Sequence, residues 1–130
     1  MRSKAFLAAG IMMLALGATA RFGAAHTPDF HLALSRSEPA ADSTVAAAPT
    51  QLRLFWTEPP TVAATQVRLT GANNQAVQVS APKADAKDAK ILNVPITAQI
   101  TPGVYTVTWR TAGEDGHVLN GTYKFTYRAN

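Results

Sequence analysis

From residue 31 onward, apolar residues alternate with polar ones more often than they recur at helical spacing, and Pro or Gly interrupts the chain at short intervals. That pattern predicts short strands with one buried face. Leu32 and Leu34 open a first strand that Pro39 closes, and a loop of small residues fills 40–49. In 51–56, Leu52, Leu54 and Trp56 share one face while Gln51, Arg53 and Phe55 share the other; Pro59 and Pro60 end the strand. Val67 and Leu69 repeat the device, and the turn at 71–74 leads to a partner strand carrying Val77 and Val79, which reads as a hairpin. Residues 80–90 are Ala-rich and charged, with too few apolar anchors to hold a helix, and are expected to form a loop. A strand follows at 91–96, where Pro95 implies an edge or irregular position. The last two runs, 103–110 and 121–128, are β-branched and aromatic in strict alternation. About seven strands separated by turns predict an all-β, immunoglobulin-like Greek-key sandwich or barrel.

The first 25 residues are built differently. Arg2 and Lys4 precede an apolar run from Ala5 to Ala18, and small residues follow. These are the three parts of a secretory signal, and the apolar run falls short of the roughly 20 residues that span a bilayer. Small residues permit cleavage after Ala20 or after Ala25, the second being favoured, so residues 1–25 are expected as signal peptide and 26–130 as the exported domain.

This division changes the charge. The whole chain carries 12 basic and 8 acidic residues, a formal charge of +4. Arg2, Lys4 and Arg21 belong to the signal, so the remainder is close to neutral, and its cations are scattered singly along the strands. A nucleic-acid footprint needs them clustered, so nucleic acid is not expected as a partner. The chain has no Cys, which removes disulfides and thiolate metal sites. Its three Met residues, Met1, Met12 and Met13, all lie in the signal. Metal chemistry would therefore rest on carboxylates and on His26, His31 and His117.

Between the two aromatic strands, a polar loop holds Glu114, Asp115, Gly116, His117 and Asn120. In an extended backbone Asp115 and His117 would lie on one side and could meet one ion, with Gly116 allowing a tight bend. Carboxylate oxygen and imidazole nitrogen suit Cu(II) or Zn(II); a solvated Asp beside a hydrogen-bonding His is the alternative. Cleavage after Ala25 would make His26 the new N-terminus, offering its α-amine and its ring together. His31 lies just before the first strand. The competing reading makes His26 part of a frayed terminus and His31 an ordinary strand residue.

Taken together, His31 followed by Leu34, Ser37 and Pro39, then Pro49, the run QLRLFWTEP with Glu58, the run PGVYTVTWR, and EDGHVLNGTYKFTY resemble the copper resistance protein CopC family of bacterial periplasmic copper binders. The resemblance runs in order through nearly all of 26–130. It implies a small Greek-key β-sandwich or barrel holding one Cu(II) through an N-terminal His, an Asp and a second His. These fall on His31, Asp115 and His117, and Glu58 takes the place of an acidic residue near the copper. The resemblance also implies a monomeric periplasmic protein that exchanges copper with an inner-membrane copper transporter, without turnover. Two departures matter. His31 lies five residues beyond His26, and cleavage after Asp29-Phe30 would break the small-residue rule, so either the His26 terminus joins the ligand set or His31 binds through its ring alone. Without Met, a soft Cu(I) ion finds no soft ligand, which narrows the expectation to a single cupric site.

Two other classes compete. A copper monooxygenase also grips its metal with an N-terminal His and a second His, although the Asp ligand here favours a stable Cu(II). A metal-free immunoglobulin-like interaction module would use neither His for binding. No Ser lies in a G-x-S-x-G context, and Trp56 and Trp109 are expected to fill the core.

Overall fold

A computed structural model describes Gly23 and residues 31–130; the remainder of the expected signal, and 26–30 with His26, lie outside the described residues. Among the described residues nine strands form two sheets: β1 (Leu34–Glu38), β2 (Thr44–Val45), β3 (Gln51–Trp56), β4 (Gln66–Thr70), β5 (Ala76–Val77), β6 (Lys83–Ala84), β7 (Ile91–Pro95), β8 (Gly103–Ala112) and β9 (Val118–Tyr127). One sheet runs β1-β3-β7-β6 and the other β2-β9-β8-β4-β5. All pairs are antiparallel except β2 with β9. The chain crosses between sheets after β1, β2, β3, β5 and β7, so the fold is the expected all-β sandwich.

Alternation in the sequence becomes two facing apolar layers. Leu52 and Leu54 of β3 and Leu92 and Val94 of β7 meet Leu69, Val107 and Phe125 from the opposite sheet, all of them essentially inaccessible. Each such side chain contributes roughly 1.5–3 kcal/mol by leaving water. Phe125 stacks on Tyr105 at 5.5 Å, and Trp56 meets Trp109 edge to face at 5.0 Å. Trp56 fills the core, as expected, whereas Trp109 is only partly buried and packs against it, bordering two surface cavities.

Differences from the sequence reading have local causes. The two additional strands, β2 in the loop at 40–49 and β6 in the loop at 80–90, are two residues each. A pair of residues cannot show a period; these strands exist because longer neighbours offer ladder partners. No helix forms at 80–90. Val79 leaves the β4–β5 hairpin and forms an isolated bridge to Ile96, just past the end of β7. The strand carrying Pro95 is not at an edge, since β7 lies between β3 and β6. Proline is tolerated because it stands last in the strand, beyond the reach of β6, which pairs only with Leu92 and Asn93. β8 and β9 are both longer than the sequence runs and pair through Ala112↔Val118, shrinking the polar loop to 113–117.

Candidate metal centre

The tight turn between β8 and β9 carries the Asp-Gly-His triplet. The Gly113 N–H donates to the His117 carbonyl at 3.2 Å, and the Gly116 N–H donates to the Gly113 carbonyl at 3.0 Å. Gly116 has φ +79°, a left-handed conformation that favours glycine. The expected extended geometry is therefore replaced by a bent one, in which Asp115 turns onto His117. Its Oδ1 accepts the His117 backbone N–H at 3.0 Å, and its Oδ2 lies 2.6 Å from Nδ1 of the His117 ring. At Gly113 a Cβ would come within 3.0 Å of Asp115 Oδ1, so a larger residue there would press on this contact.

These bonds fix both the charge and the orientation of the pair. The His117 backbone N–H, followed by its ring, holds the Asp115 carboxyl below the usual carboxylate range. With Nδ1 engaged by the carboxylate, Nε2 is the ring nitrogen left for a metal ion, the arrangement in which an oxygen partner orients a ligating imidazole. The side chain of His117 is 84% exposed, so this nitrogen is accessible.

His31 arrives from the other end of the described chain. The Thr57 hydroxyl donates to the His31 carbonyl at 2.8 Å and accepts the Ala33 N–H at 2.9 Å; the Thr57 N–H donates to the Ala33 carbonyl at 2.9 Å. Between these anchors Leu32 is buried in the core. The residue after β3 thus clasps the segment before β1 and sets His31 at the cleft that Glu58 also lines.

Both segments open onto one cleft of about 380 Å³, lined by His31, Glu58, Glu114, Asp115 and His117, with Leu32 and Leu119 as its apolar wall. Three carboxylates around two imidazoles give the cleft a negative potential suited to a cation. Among the described residues no three His, Asp or Glu groups form a ready-made ligand cluster, and His26 lies outside them. The donors share a cleft without being drawn onto a common point. Sequence reasoning placed Glu114 in the loop without giving it a role. It missed Thr57, whose bonds span the gap between two strands and leave no local trace. Asn120, although part of the same polar run, lines a different cavity on the outer face of the five-stranded sheet.

One consequence is measurable by carbon NMR. The Asp115 carboxyl should titrate below the ordinary aspartate value of about 3.9. Because the folded value is the depressed one, the hold of Asp115 on the turn is present above the ordinary pKa and is lost as pH falls through the folded value. Titration at or above the ordinary value would contradict the hydrogen-bonded turn.

Comparison with known proteins gives a consistent picture. Residues 34–128 match the CopC domain. The chain is 30% identical over 132 residues to Copper resistance protein C of Escherichia coli, covering 97% of each, and 33% identical over 98 residues to Protein YobA of Escherichia coli K12, covering 75% of this chain and 79% of that one. Among solved structures it resembles CopC from Methylosinus trichosporium OB3b, with TM-score 0.70 and 25% identity over 77% of this chain and 96% of that chain. It also resembles PcoC of Escherichia coli, described as a methionine-rich copper resistance protein, with TM-score 0.69 and 31% identity over 75% and 99% of the two chains. A matched segment spanning most of the sequence, on a sandwich shared with solved copper resistance proteins, means that the chain belongs to the CopC domain family.

Proposed function

We propose that the protein is a periplasmic copper-binding protein that holds one Cu(II) in the cleft between the β8–β9 turn and the segment before β1, and buffers the ion or exchanges it with an inner-membrane copper transporter. The observation that carries this reading is the convergence of His31 and the Asp115–His117 pair, from opposite ends of the described chain, on a cleft that also holds Glu58 and Glu114.

His117 binds through Nε2, because Nδ1 is committed to Asp115. Asp115 Oδ2 bonds Nδ1, on the edge of the ring opposite Nε2, so in this arrangement it orients the ring and adds negative charge; it joins His117 on the ion only by releasing Nδ1. His31 supplies a second imidazole. His26, the first residue left by cleavage after Ala25, adds its amine and ring. Glu58 and Glu114 balance the charge of a divalent ion. A site of imidazole and carboxylate favours Cu(II) over Cu(I), and no Met follows residue 13 to supply a thioether. The function is binding and release, without turnover.

Mass spectrometry of the exported protein during a Cu(II) titration tests this reading. The expected result is a chain beginning at His26 that retains one copper; a protein that retains none would overturn it. The Thr57 clasp gives a subtler check. Thr57→Val keeps the shape of the side chain but removes both hydroxyl bonds to the His31–Ala33 segment, and should weaken Cu(II) binding by about tenfold, as loss of a supporting bond does at other metal sites. Unchanged affinity by competitive titration would show that the clasp does not position His31.

A further inference from the structure

The two sheets treat their cations differently. On the four-stranded sheet, Arg36 donates to Glu38 at 2.8 Å, and Arg53 reaches Glu38 at 3.3 Å and Asp85 at 4.0 Å. Both guanidinium groups also lie near the Phe55 ring, Arg36 at 3.5 Å and Arg53 at 5.1 Å from its centroid. The outer face of the five-stranded sheet has no such arrangement. Alternation along β4, β8 and β9 turns Arg68, Arg110 and Lys124 outward and exposed, while Val67, Leu69, Tyr105, Val107, Tyr123 and Phe125 point into the core. No acidic residue occupies an outward position on these strands. Among the described residues none of the three cations has an ion pair or a side-chain hydrogen bond.

Register brings the two arginines together. Arg68 is opposite Thr108, and Arg110 is opposite Gln66 on the same strand pair, so the arginines are diagonal neighbours roughly 7–8 Å apart at their Cα atoms. They border an open trough of about 570 Å³, whose remaining polar lining includes Gln66, Thr108 and Asn120. Carboxylates are the natural complement, since a planar guanidinium grips a carboxylate through two parallel hydrogen bonds. Arg110 and Asn120, both lining the trough, are each three residues along their strands from the 113–117 turn, roughly 10 Å away.

We propose that the outer face of the five-stranded sheet, centred on Arg68 and Arg110, is a docking surface for an acidic polypeptide segment of a partner protein, whose carboxylates enter the trough. A concave, hydrogen-bonding trough fits an extended peptide better than a bilayer surface. The exposed apolar side chains of this face, Val104 and Val118, are short and stand at opposite ends, so they offer no hydrophobic insertion into lipid. The inference does not depend on the copper reading, because none of these residues is a proposed ligand.

The test uses the whole processed protein, isotopically labelled, with an oligoglutamate peptide as probe and copper absent. Amide shifts are expected at 66–70, 106–110 and 120–124, disappearing at high salt. Arg68→Ala with Arg110→Ala should weaken peptide binding by about tenfold or more, as for close charge pairs at other interfaces. Both side chains are exposed, so the fold survives their truncation. Lys83→Ala with Lys87→Ala, away from this face, should change nothing. The proposal is overturned if the peptide shifts map elsewhere, if the arginine variant binds as wild type does, or if the protein binds phosphatidylglycerol vesicles through these arginines in preference to the peptide.

Discussion

Replacing His117 with alanine should lower Cu(II) affinity by more than about 100-fold, beyond the range produced by losing a supporting partner, because the proposed site loses a ligand itself. The same change should leave thermal unfolding almost where it was. His117 is largely exposed and packs against nothing in the core; its bonds are confined to the turn. Asp115→Ala should follow it with a loss on the order of 10–100-fold, since it releases the ring from its fixed orientation and removes a negative oxygen from the cleft. The double variant should cost less than the sum of the two single losses, because residues in one hydrogen-bonded pair do not act independently. Isothermal titration of the three variants against a competing chelator measures all of this. Wild-type affinity in His117→Ala would remove the cleft from consideration.

The largest expected effect on stability lies at a residue with no side chain. A Cβ at Gly121 would fall 2.4 Å from Cζ2 and 2.7 Å from Cε2 of the Trp109 ring. The buried Trp56 meets that ring edge to face at 5.0 Å and limits its movement on one side, so the indole can yield only toward the cavities it borders. Gly121→Ala must therefore shift either the indole pair or β9, at a cost of about 1–3 kcal/mol for an overpacked core. For a domain of this size the melting temperature should fall by roughly 10 °C. Gly121 is also paired with Trp109 in the β8–β9 ladder, on the strands that hold the turn carrying Asp115 and His117. Differential scanning calorimetry decides the point: an unchanged melting temperature would mean that the indole has room to yield. Trp109→Phe combined with Gly121→Ala should recover part of the loss, because the smaller ring vacates the space the methyl group needs.

Much of the sandwich was legible because a half-buried strand announces itself by its period. The alternations Leu52-Leu54-Trp56 and Val67-Leu69 predicted the inward face correctly, and the alternating run 103–110 marked a strand whose buried face carries Tyr105 and Val107. What escaped were features set by tertiary neighbours. β2 and β6 are too short to have a period, and the interior place of β7 was hidden by Pro95, whose cost vanishes only because β6 stops short of it. The site divides in the same way. Asp115 and His117 are close in sequence and were visible as a pair, but their mutual hydrogen bonds depend on the left-handed bend at Gly116, which spacing alone does not dictate. Glu58 lies at the end of a recognisable strand and reaches the cleft from there. The clasp by Thr57 has no sequence signature, because a threonine after a strand says nothing about which distant backbone it will hold.

The account rests on one ion being shared between the two ends of the folded chain. Pulsed electron paramagnetic resonance of the protein loaded with a single equivalent of Cu(II) counts the imidazole rings on the metal, and comparing wild type with His31→Ala and His117→Ala assigns them. The account predicts that each substitution removes one ring from the copper. A His31→Ala spectrum identical to that of wild type, with His117 still bound, would contradict it.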